Sequence, residues 1–218
     1  CVQHKIALYV CDEKHIPSGM LLGYQQHSRQ SKVIESQLKL SEPFKKRLWQ
    51  LIVRQKIQNQ RSVFERITGK EELSFSHYLD SVNSGDTLNR EATVARLYFS
   101  KLLPKGETRG SECLQNHALN YGYAIIRGAM ARSIVSYGFL SSVGIKHISE
   151  LDNFALADDL IEPYRPFVDD FVFGSLLATL EVLNKETRDA LVGLLTRKVI
   201  IGGEENTLLR AMEITAQS

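Results

Sequence analysis

Three acidic residues, Asp158, Asp159 and Glu162, lie close together in a segment with the pattern of a helix. Residues three or four positions apart share one side of a helix, so these carboxylates project together. Like charges so placed repel one another unless a cation lies among them, which a divalent metal or Arg165 could supply. His147 precedes the helix in a predicted loop, close enough in sequence to reach it. Carboxylate oxygens with one imidazole favour Mg²⁺ or Mn²⁺ over zinc; the alternative is an exposed acidic face with an incidental histidine.

A further carboxylate, Glu91, stands at the start of a predicted helix over 90–103. Asn89 is a suitable residue to cap this helix, and Pro104 ends it. The unpaired amides and the dipole of a helix favour a carboxylate in the first turn. Taken alone, Glu91 is therefore explained by its position and needs no catalytic role.

Basic residues are concentrated in one part of the chain. Residues 29–70 contain eleven basic and three acidic residues, whereas 146–189 contain ten acidic and four basic ones. Within the basic part, Arg47, Arg54 and Arg61 recur every seven residues, which places them on one side of a helix. Such a row of guanidinium groups could follow the phosphates of DNA, or it could be an ordinary solvated face.

Helices must position most of these residues, because helical apolar patterns cover most of the chain. The predicted helices cover 44–67, 71–83, 90–103, 112–137, 152–162 with Asp152 as the cap, 166–181, 185–199 and 205–216. Residues 5–10 suit an isolated buried strand, Gly122 indicates close helix packing, and Gly202-Gly203 interrupts the chain before the last helix. The sequence therefore predicts a mainly α fold. Its large helical domain covers 29–218, and the end of a small β domain with a linker covers 1–28.

The composition is that of an ordinary globular protein, with 218 residues and a net charge of +2. This charge gives no global indication of nucleic acid or membrane binding. Three scattered cysteines suit neither a disulfide framework nor a four-ligand zinc site, which favours a reducing compartment. The sequence lacks an apolar run of membrane-spanning length and a signal-peptide pattern. We therefore expect a soluble cytoplasmic protein, and the initial Cys1 predicts a fragment of a longer one.

Five separated stretches occur in a recognisable order. They are 11–19 (CDEKHIPSG), 90–99 (REATVARLYF), 118–124 (ALNYGYA), 144–147 (GIKH) and 156–166 (LADDLIEPYRP). Together they resemble the Cas1 integrases of CRISPR adaptation, in the form that accompanies type II systems. The resemblance runs from about residue 5 to about residue 170, and it implies a helical catalytic domain that here lacks most of the preceding β domain.

The resemblance also implies a metal site. The glutamate of its Glu-x-x-x-Ala motif falls on Glu91, the histidine of its Gly-Ile-x-His motif on His147, and the acidic residue of the next helix on Glu162. Asp158 or Asp159 resembles a further acidic position close to the metal. Many relatives carry a second histidine where this chain has Lys146. The implied metal is Mg²⁺ or Mn²⁺.

The chemistry implied by the resemblance is transesterification. A 3′-hydroxyl of captured DNA attacks a phosphodiester at the border of a CRISPR repeat, and with water as the nucleophile the same site would hydrolyse DNA. The implied partners are prespacer and repeat DNA, a second copy of the chain, and a small ferredoxin-like CRISPR-associated protein. Two alternatives stay open: a catalytically silent DNA-binding or structural fragment of that protein, and a helical nuclease acting on RNA or branched DNA.

Overall fold

The computed structural model of the protein describes residues 1–4, 6, 8–11, 17–21, 29–176 and 182–218. Within these ranges the α-helices are α1 (Gln30–Leu38), α2 (Glu42–Thr68), α3 (Ser74–Asp80), α4 (Arg90–Leu102), α5 (Leu114–Ser136), α6 (Ala155–Ile161), α7 (Arg165–Phe171), α8 (Lys185–Gly193) and α9 (Leu208–Gln217). The strands are β1 (Leu8–Cys11), β2 (Pro17–Leu21), β3 (Lys198–Ile201) and β4 (Glu204–Thr207). The prediction of a mainly α fold is confirmed. Among the described residues, no helix is long and apolar enough to cross a membrane.

Helix α4 begins where it was predicted, but Asn89 does not cap it. Asn89 lies in the left-handed region at φ 50°, and its side chain makes no capping hydrogen bond. The cap is Asp86, whose carboxylate accepts the N–H groups of Arg90 at 2.8 Å and Glu91 at 3.0 Å. A carboxylate at this position also complements the helix dipole, so the first turn of α4 and Glu91 within it are held in place.

The predicted helices around residues 152–181 are shorter and less regular in the structure. Helix α6 starts at Ala155, and the Asp152 carboxylate accepts the N–H of Phe154 at 2.8 Å, just before the helix. A 3₁₀ turn, Glu162–Tyr164, follows α6. Helix α7 continues into a π-helical segment, Val172–Leu176, and the rest of the predicted helix to 181 lies outside the described residues.

The predictions for the C-terminal part were wrong between residues 194 and 207. Helix α8 ends at Gly193, and β3 and β4 form an antiparallel hairpin with Ile201 opposite Glu204. Gly202 and Gly203 lie at φ 60° and 83°, the left-handed conformation that a two-residue hairpin turn requires. The β-branched run 199–201 prefers a strand, so the glycine pair joins two strands here. Thr207 then caps α9 by accepting the N–H of Arg210.

The strand expected at 5–10 is neither isolated nor buried, since Leu8 within it is 47% exposed. Strand β1 pairs antiparallel with β2, and Leu8 lies opposite Leu21. Residues 12–16, which carry most of the first family-like stretch, lie outside the described residues, as do 22–28. The boundary expected at 28/29 therefore stays a prediction.

Two compact units can be distinguished. The first unit consists of residues 1–42, 124–161 and 193–218, and the second unit of 43–123 and 162–192. In the first unit, α9 packs against α6 and β3; in the second, α3 packs against α4. Fully buried side chains in the first unit are Ile126, Met130, Ile134, Leu208 and Met212, and in the second unit Val53, Ile57, Phe75, Val94 and Tyr98.

Gly122 confirms the prediction of close helix packing within the second unit. A Cβ atom at this position would overlap Val168 of α7 and would lie 3.4 Å from Leu191 of α8. Only a residue without a side chain lets α5 approach these two helices so closely.

Candidate active site

The candidate active site in the second unit is built around the ammonium group of Lys56. Its Nζ atom lies 2.7 Å from Oε1 of Glu91 and 2.5 Å from Oε2 of Glu162. Lys56 comes from the middle of α2, Glu91 from the first turn of α4, and Glu162 from the 3₁₀ turn after α6. The structure thus brings together two of the three residues that the resemblance implies as metal ligands, on a single cationic group.

These side chains are held by their surroundings. Lys56 is 7% exposed and Glu162 4% exposed. Lys56 stands among the buried residues of α2, next to Val53 and Ile57. One turn further along α2, the side-chain amide of Asn59 donates to the carbonyl oxygen of Pro163 at 2.7 Å, which ties the Glu162 turn to the helix.

The charges at this site balance one another. Arg165 lies with Nε 2.9 Å from Oε1 of Glu162, and its guanidinium stacks over the Tyr123 ring at 4.8 Å. Burial lowers the pKa of Lys56, but the negative charges of Glu162 and Glu91 outweigh this effect, so the pKa of Lys56 is raised above its usual value. Buried carboxylates are tolerated when they are paired with cations in this way. Lys56 is therefore a charged ammonium group at neutral pH.

His147, the third implied ligand, belongs to the first unit, where Asp159 positions it. The Nδ1 atom of His147 lies 2.6 Å from Oδ1 of Asp159. Asp159 is fully buried and also accepts the backbone N–H groups of Ile145, Lys146 and His147 at 2.6 to 3.2 Å. Gly144 permits this tight loop, because a Cβ atom there would lie 2.9 Å from Asp159 Oδ2. The arrangement makes Nε2 the nitrogen through which His147 can ligate a metal.

Asp158 and Asp159, the two further acidic candidates, each bind other residues of the first unit. Both oxygens of Asp159 accept the hydrogen bonds of the 145–147 loop, so Asp159 orients the loop and its histidine. Asp158 Oδ2 lies 2.6 Å from the guanidinium of Arg127, which also contacts Asp152 at 3.1 Å. Asp158 thus forms an ion pair with Arg127.

The donor chemistry of the Glu91–Glu162 pair fits a hard divalent cation. Two carboxylate oxygens from separate elements already converge on one positive group, so Lys56 stands where a cation is favoured. Among the described residues, no three histidine, cysteine, aspartate or glutamate side chains form a group that could hold a metal ion. The identity of the metal and the complete ligand set stay predictions.

The three arginines of the predicted DNA-binding face differ in their surroundings. Arg54 donates to the carbonyl oxygen of Leu79 at 2.8 Å. Arg61 contacts Glu65, Glu71 and Ser76 at 2.7 to 3.0 Å. Arg47 is exposed, and it makes no hydrogen bond or ion pair with another described residue. Two of the three guanidinium groups therefore stabilise the packing of α3 beside α2.

Sequence reasoning missed Lys56, which was counted only as one charge of the basic region. A signal was present, because Lys56 falls four residues after Ile52 and seven before Val63, within the apolar stripe of α2. A lysine in such a stripe needs a buried partner. Which carboxylates pair with it could not be read from the sequence.

Asp169 on α7 is a further buried carboxyl group of the second unit, and the sequence did not reveal it. The Tyr123 hydroxyl donates to Asp169 Oδ1, and Asp169 is 1% exposed. Burial raises the pKa of Asp169 from 3.8 to about 6, although the hydrogen bond from Tyr123 opposes the shift. Burial also raises the pKa of both tyrosines well above the usual value, and the Asp169 charge adds to this.

Comparisons with known proteins agree on one family. The family described as CRISPR associated protein Cas1 matches residues 1–189. Over 169 residues the chain is 47% identical to the CRISPR-associated endonuclease Cas1 of Neisseria meningitidis serogroup C (strain 8013), a match that covers 77% of this chain and 55% of that relative. The chain thus spans about half the length of the curated relatives that it matches.

Two solved structures have a similar fold. A casposase bound to an integration product superposes with a TM-score of 0.79 at 20% identity, covering 97% of this chain and 70% of that one. A chain of a Cas6-RT-Cas1–Cas2 complex superposes with a TM-score of 0.76 at 22% identity, covering 99% of this chain and 28% of that one. At these identities the two structures establish the fold alone.

Proposed function

The chain belongs to the Cas1 family of CRISPR-associated proteins, and on that premise we propose that it acts as a metal-dependent DNA integrase and endonuclease of CRISPR adaptation. The proposed reaction joins a 3′-hydroxyl of prespacer DNA to a phosphodiester at the border of a CRISPR repeat. A new phosphorus–oxygen bond forms, and the repeat strand releases its 3′-oxygen. With water in place of the 3′-hydroxyl, the outcome is a nick.

One observation carries this proposal, namely the shared contact of Glu91 and Glu162 with Lys56. These glutamates are far apart in the sequence, and two different family motifs select them. Their convergence on one cationic group is the arrangement expected of carboxylates that hold a divalent ion.

Each residue has a distinct task in the proposed site. Glu91 and Glu162 supply carboxylate oxygens to Mg²⁺ or Mn²⁺. His147 supplies Nε2, a role that rests on the resemblance, while Asp159 orients its ring through Nδ1. When bound, the divalent ion lowers the pKa of the attacking hydroxyl and neutralises the phosphate oxygens.

The proposed partners follow from the same family. Prespacer and repeat DNA are the substrates, a second copy of the chain forms a homodimer, and a small ferredoxin-like CRISPR-associated protein completes the assembly. Two solved structures with this fold support the proposal by their composition. One is bound to an integration product, and the other is a complex that includes Cas2.

The test is a joining and nicking assay. Fluorescent DNA with 3′-hydroxyl ends is incubated with a supercoiled repeat-bearing plasmid in the presence of Mg²⁺, Mn²⁺ or EDTA. We expect metal-dependent products that Glu91→Gln, Glu162→Gln and His147→Ala each reduce at least about 100-fold, because each variant removes one ligand. The matched controls are Glu204→Gln and His117→Ala, which alter exposed side chains outside the proposed site.

The outcomes separate the alternatives. Metal-dependent joining that is lost in the three variants supports the integrase. Nicking without joining supports the metal site alone, and general degradation of RNA or branched DNA supports a nuclease outside adaptation. DNA binding without any metal-dependent product contradicts the proposal and favours a catalytically silent DNA-binding chain.

A further inference from the structure

Lys56 makes a contact that the proposed metal chemistry does not require. A site that binds a divalent ion through Glu91 and Glu162 needs both carboxylates available to the ion. In the structure, one oxygen of each lies within 2.7 Å of the Lys56 ammonium group. The ammonium group of Lys56 therefore lies where a metal ion that contacts both carboxylates would lie.

We propose that Lys56 is a built-in cation that holds Glu91 and Glu162 together in the metal-free protein and competes with the divalent ion for them. This inference rests on the proposed function. It makes Lys56 a positioning residue, which acts through the two glutamates and sets the affinity of the site for the metal.

The first argument is the burial of the carboxylates. Glu162 is 4% exposed and Glu91 is partly buried, and their carboxylates approach the same nitrogen. Without a cation between them, two ionised carboxylates in a low-dielectric surrounding would repel one another. Lys56 neutralises this repulsion and fixes the distance between α4 and the Glu162 turn before any metal binds.

The second argument is that the buried side chain of Lys56 cannot readily move into solvent. Its backbone lies in the interior of α2 between the fully buried Val53 and Ile57, and its side chain is 9% exposed. A long surface lysine can move into water when a metal arrives, but this one stays within a few ångströms of the carboxylates. Its positive charge consequently opposes a divalent ion at the same oxygens.

Arg165 provides a second cation at this site but a different geometry. It approaches Glu162 through Oε1, the oxygen opposite to the one that Lys56 contacts, and its guanidinium lies against the Tyr123 ring. Lys56 alone, among the described residues, forms ion pairs with both Glu91 and Glu162. The competition is therefore assigned to Lys56.

The experiment measures Mn²⁺ binding by the paramagnetic resonance of free Mn²⁺, and thermal unfolding in EDTA, at one pH and ionic strength. The main variant is Lys56→Met, which keeps much of the side-chain length and removes the charge. We expect it to bind Mn²⁺ at least about tenfold more tightly than the unaltered chain, because a repelling charge is gone. In EDTA we expect its unfolding temperature to fall. Lys101→Met, at an exposed lysine of α4, should change neither quantity.

A second variant covers the case in which Lys56→Met does not fold. Lys56→Arg keeps a cation that can contact both carboxylates, so we expect Mn²⁺ affinity equal to or lower than that of the unaltered chain. Tighter binding in Lys56→Arg would contradict competition by charge.

The results also distinguish this inference from the proposed function. If Glu91→Gln and Glu162→Gln weaken Mn²⁺ binding but Lys56→Met leaves it unchanged or weaker, the site binds metal and Lys56 does not compete, so only the inference fails. If neither glutamate variant alters Mn²⁺ binding, the carboxylates do not hold the metal. The inference and the proposed function are then both overturned.

Discussion

The imidazole of His147 is held by the carboxylate of Asp159, with Nδ1 2.6 Å from Oδ1. The same carboxylate accepts three consecutive backbone N–H groups of the loop that carries the histidine. Asp159 was a candidate metal ligand on the basis of its spacing from Glu162. Its surroundings favour a different role, because both of its oxygens are occupied in organising the loop and orienting the imidazole of His147. In the proposed metal site, Asp159 would therefore act through His147.

Asp159→Asn tests this role. The amide group turns one acceptor oxygen into a donor that faces the loop N–H groups, and it removes the charge that strengthens those hydrogen bonds. We expect the free energy of unfolding in urea to fall by about 3 kcal/mol, since several hydrogen bonds to a charged group are lost or reversed. Glu205→Gln is the control. Its exposed ion pair with Lys198, at 3.3 Å, should contribute less than about 1 kcal/mol. An Asp159→Asn protein as stable as the unaltered chain would show that the loop does not depend on this carboxylate.

Gly122→Ala tests the close packing of α5 in the second unit. Alanine favours a helix by about 1 kcal/mol over glycine, but the new methyl group would overlap Val168. Overpacking of this kind costs about 1–3 kcal/mol, so we expect a net loss of stability in urea unfolding. Gly193→Ala is the matched comparison, because a Cβ atom there meets nothing within 4 Å. It should be neutral or stabilising, and equal effects of the two substitutions would argue against packing as the cause.

The helices were predictable where the sequence contains both a periodic apolar stripe and a clear end. Helix α2, with Pro43 in its first turn, and α4, which ends before Pro104, lie within two residues of their predicted bounds. The hairpin of β3 and β4 was missed, because the short apolar run 199–201 can be read as the end of a helix as readily as a strand. Only the pairing with β4 decides between them.

The types of residue in the candidate site were predictable, but the ion pairs that the two glutamates form with Lys56 were not. Family motifs selected Glu91 and Glu162, and the spacing of residues 158–162 pointed to a cation. The position of Lys56 in the apolar stripe of α2 indicated a buried lysine, but its pairing with Glu91 and Glu162 could not be predicted, since that contact depends on how α2 packs against α4 and the Glu162 turn. Asp169 was equally hidden, because its high pKa arises from burial beside Tyr123 and Tyr98.

Asp169 should make the stability of the protein depend on pH. Its pKa is raised in the folded state, from 3.8 to about 6, so the folded protein binds the proton more tightly than the unfolded chain. The contribution of Asp169 to stability is therefore most favourable below pH 4 and is lost as the pH rises through about 6. The difference between a pKa of 3.8 and a pKa of about 6 corresponds to about 3 kcal/mol of stability.

The measurement compares Asp169→Asn with the unaltered chain in urea unfolding at pH 4 to 7. Because asparagine does not titrate in this range, we expect the variant to gain about 2 kcal/mol relative to the unaltered chain between pH 4 and pH 7, since part of the full effect is already lost at pH 4. Asp189→Asn, at an exposed carboxylate of α8, should follow the unaltered chain. A constant difference between Asp169→Asn and the unaltered chain would show that Asp169 is ionised throughout this range.

The arginine face of α2 leads to a prediction about DNA binding. The row of three arginines predicted either a DNA-binding face or a solvated one. In the structure, Arg54 and Arg61 are engaged with α3 or its neighbouring residues, whereas Arg47 is exposed. A guanidinium already bound to acceptors of the protein, such as the Leu79 carbonyl oxygen at Arg54 or the carboxylates at Arg61, has less to gain from a phosphate, because DNA binding must first break those contacts. We therefore expect Arg47 to contribute most among the three.

Affinity for a duplex of arbitrary sequence, measured at several salt concentrations, tests this expectation. Arg47→Ala should weaken binding and reduce the slope of log affinity against log salt by about 0.9, the value for one lost phosphate contact. Arg54→Ala and Arg61→Ala together should leave the slope unchanged. If the double variant reduces the slope and Arg47→Ala does not, Arg54 and Arg61 release their protein contacts to bind DNA. If no variant alters the slope, this face of α2 is a solvated surface and DNA binds elsewhere.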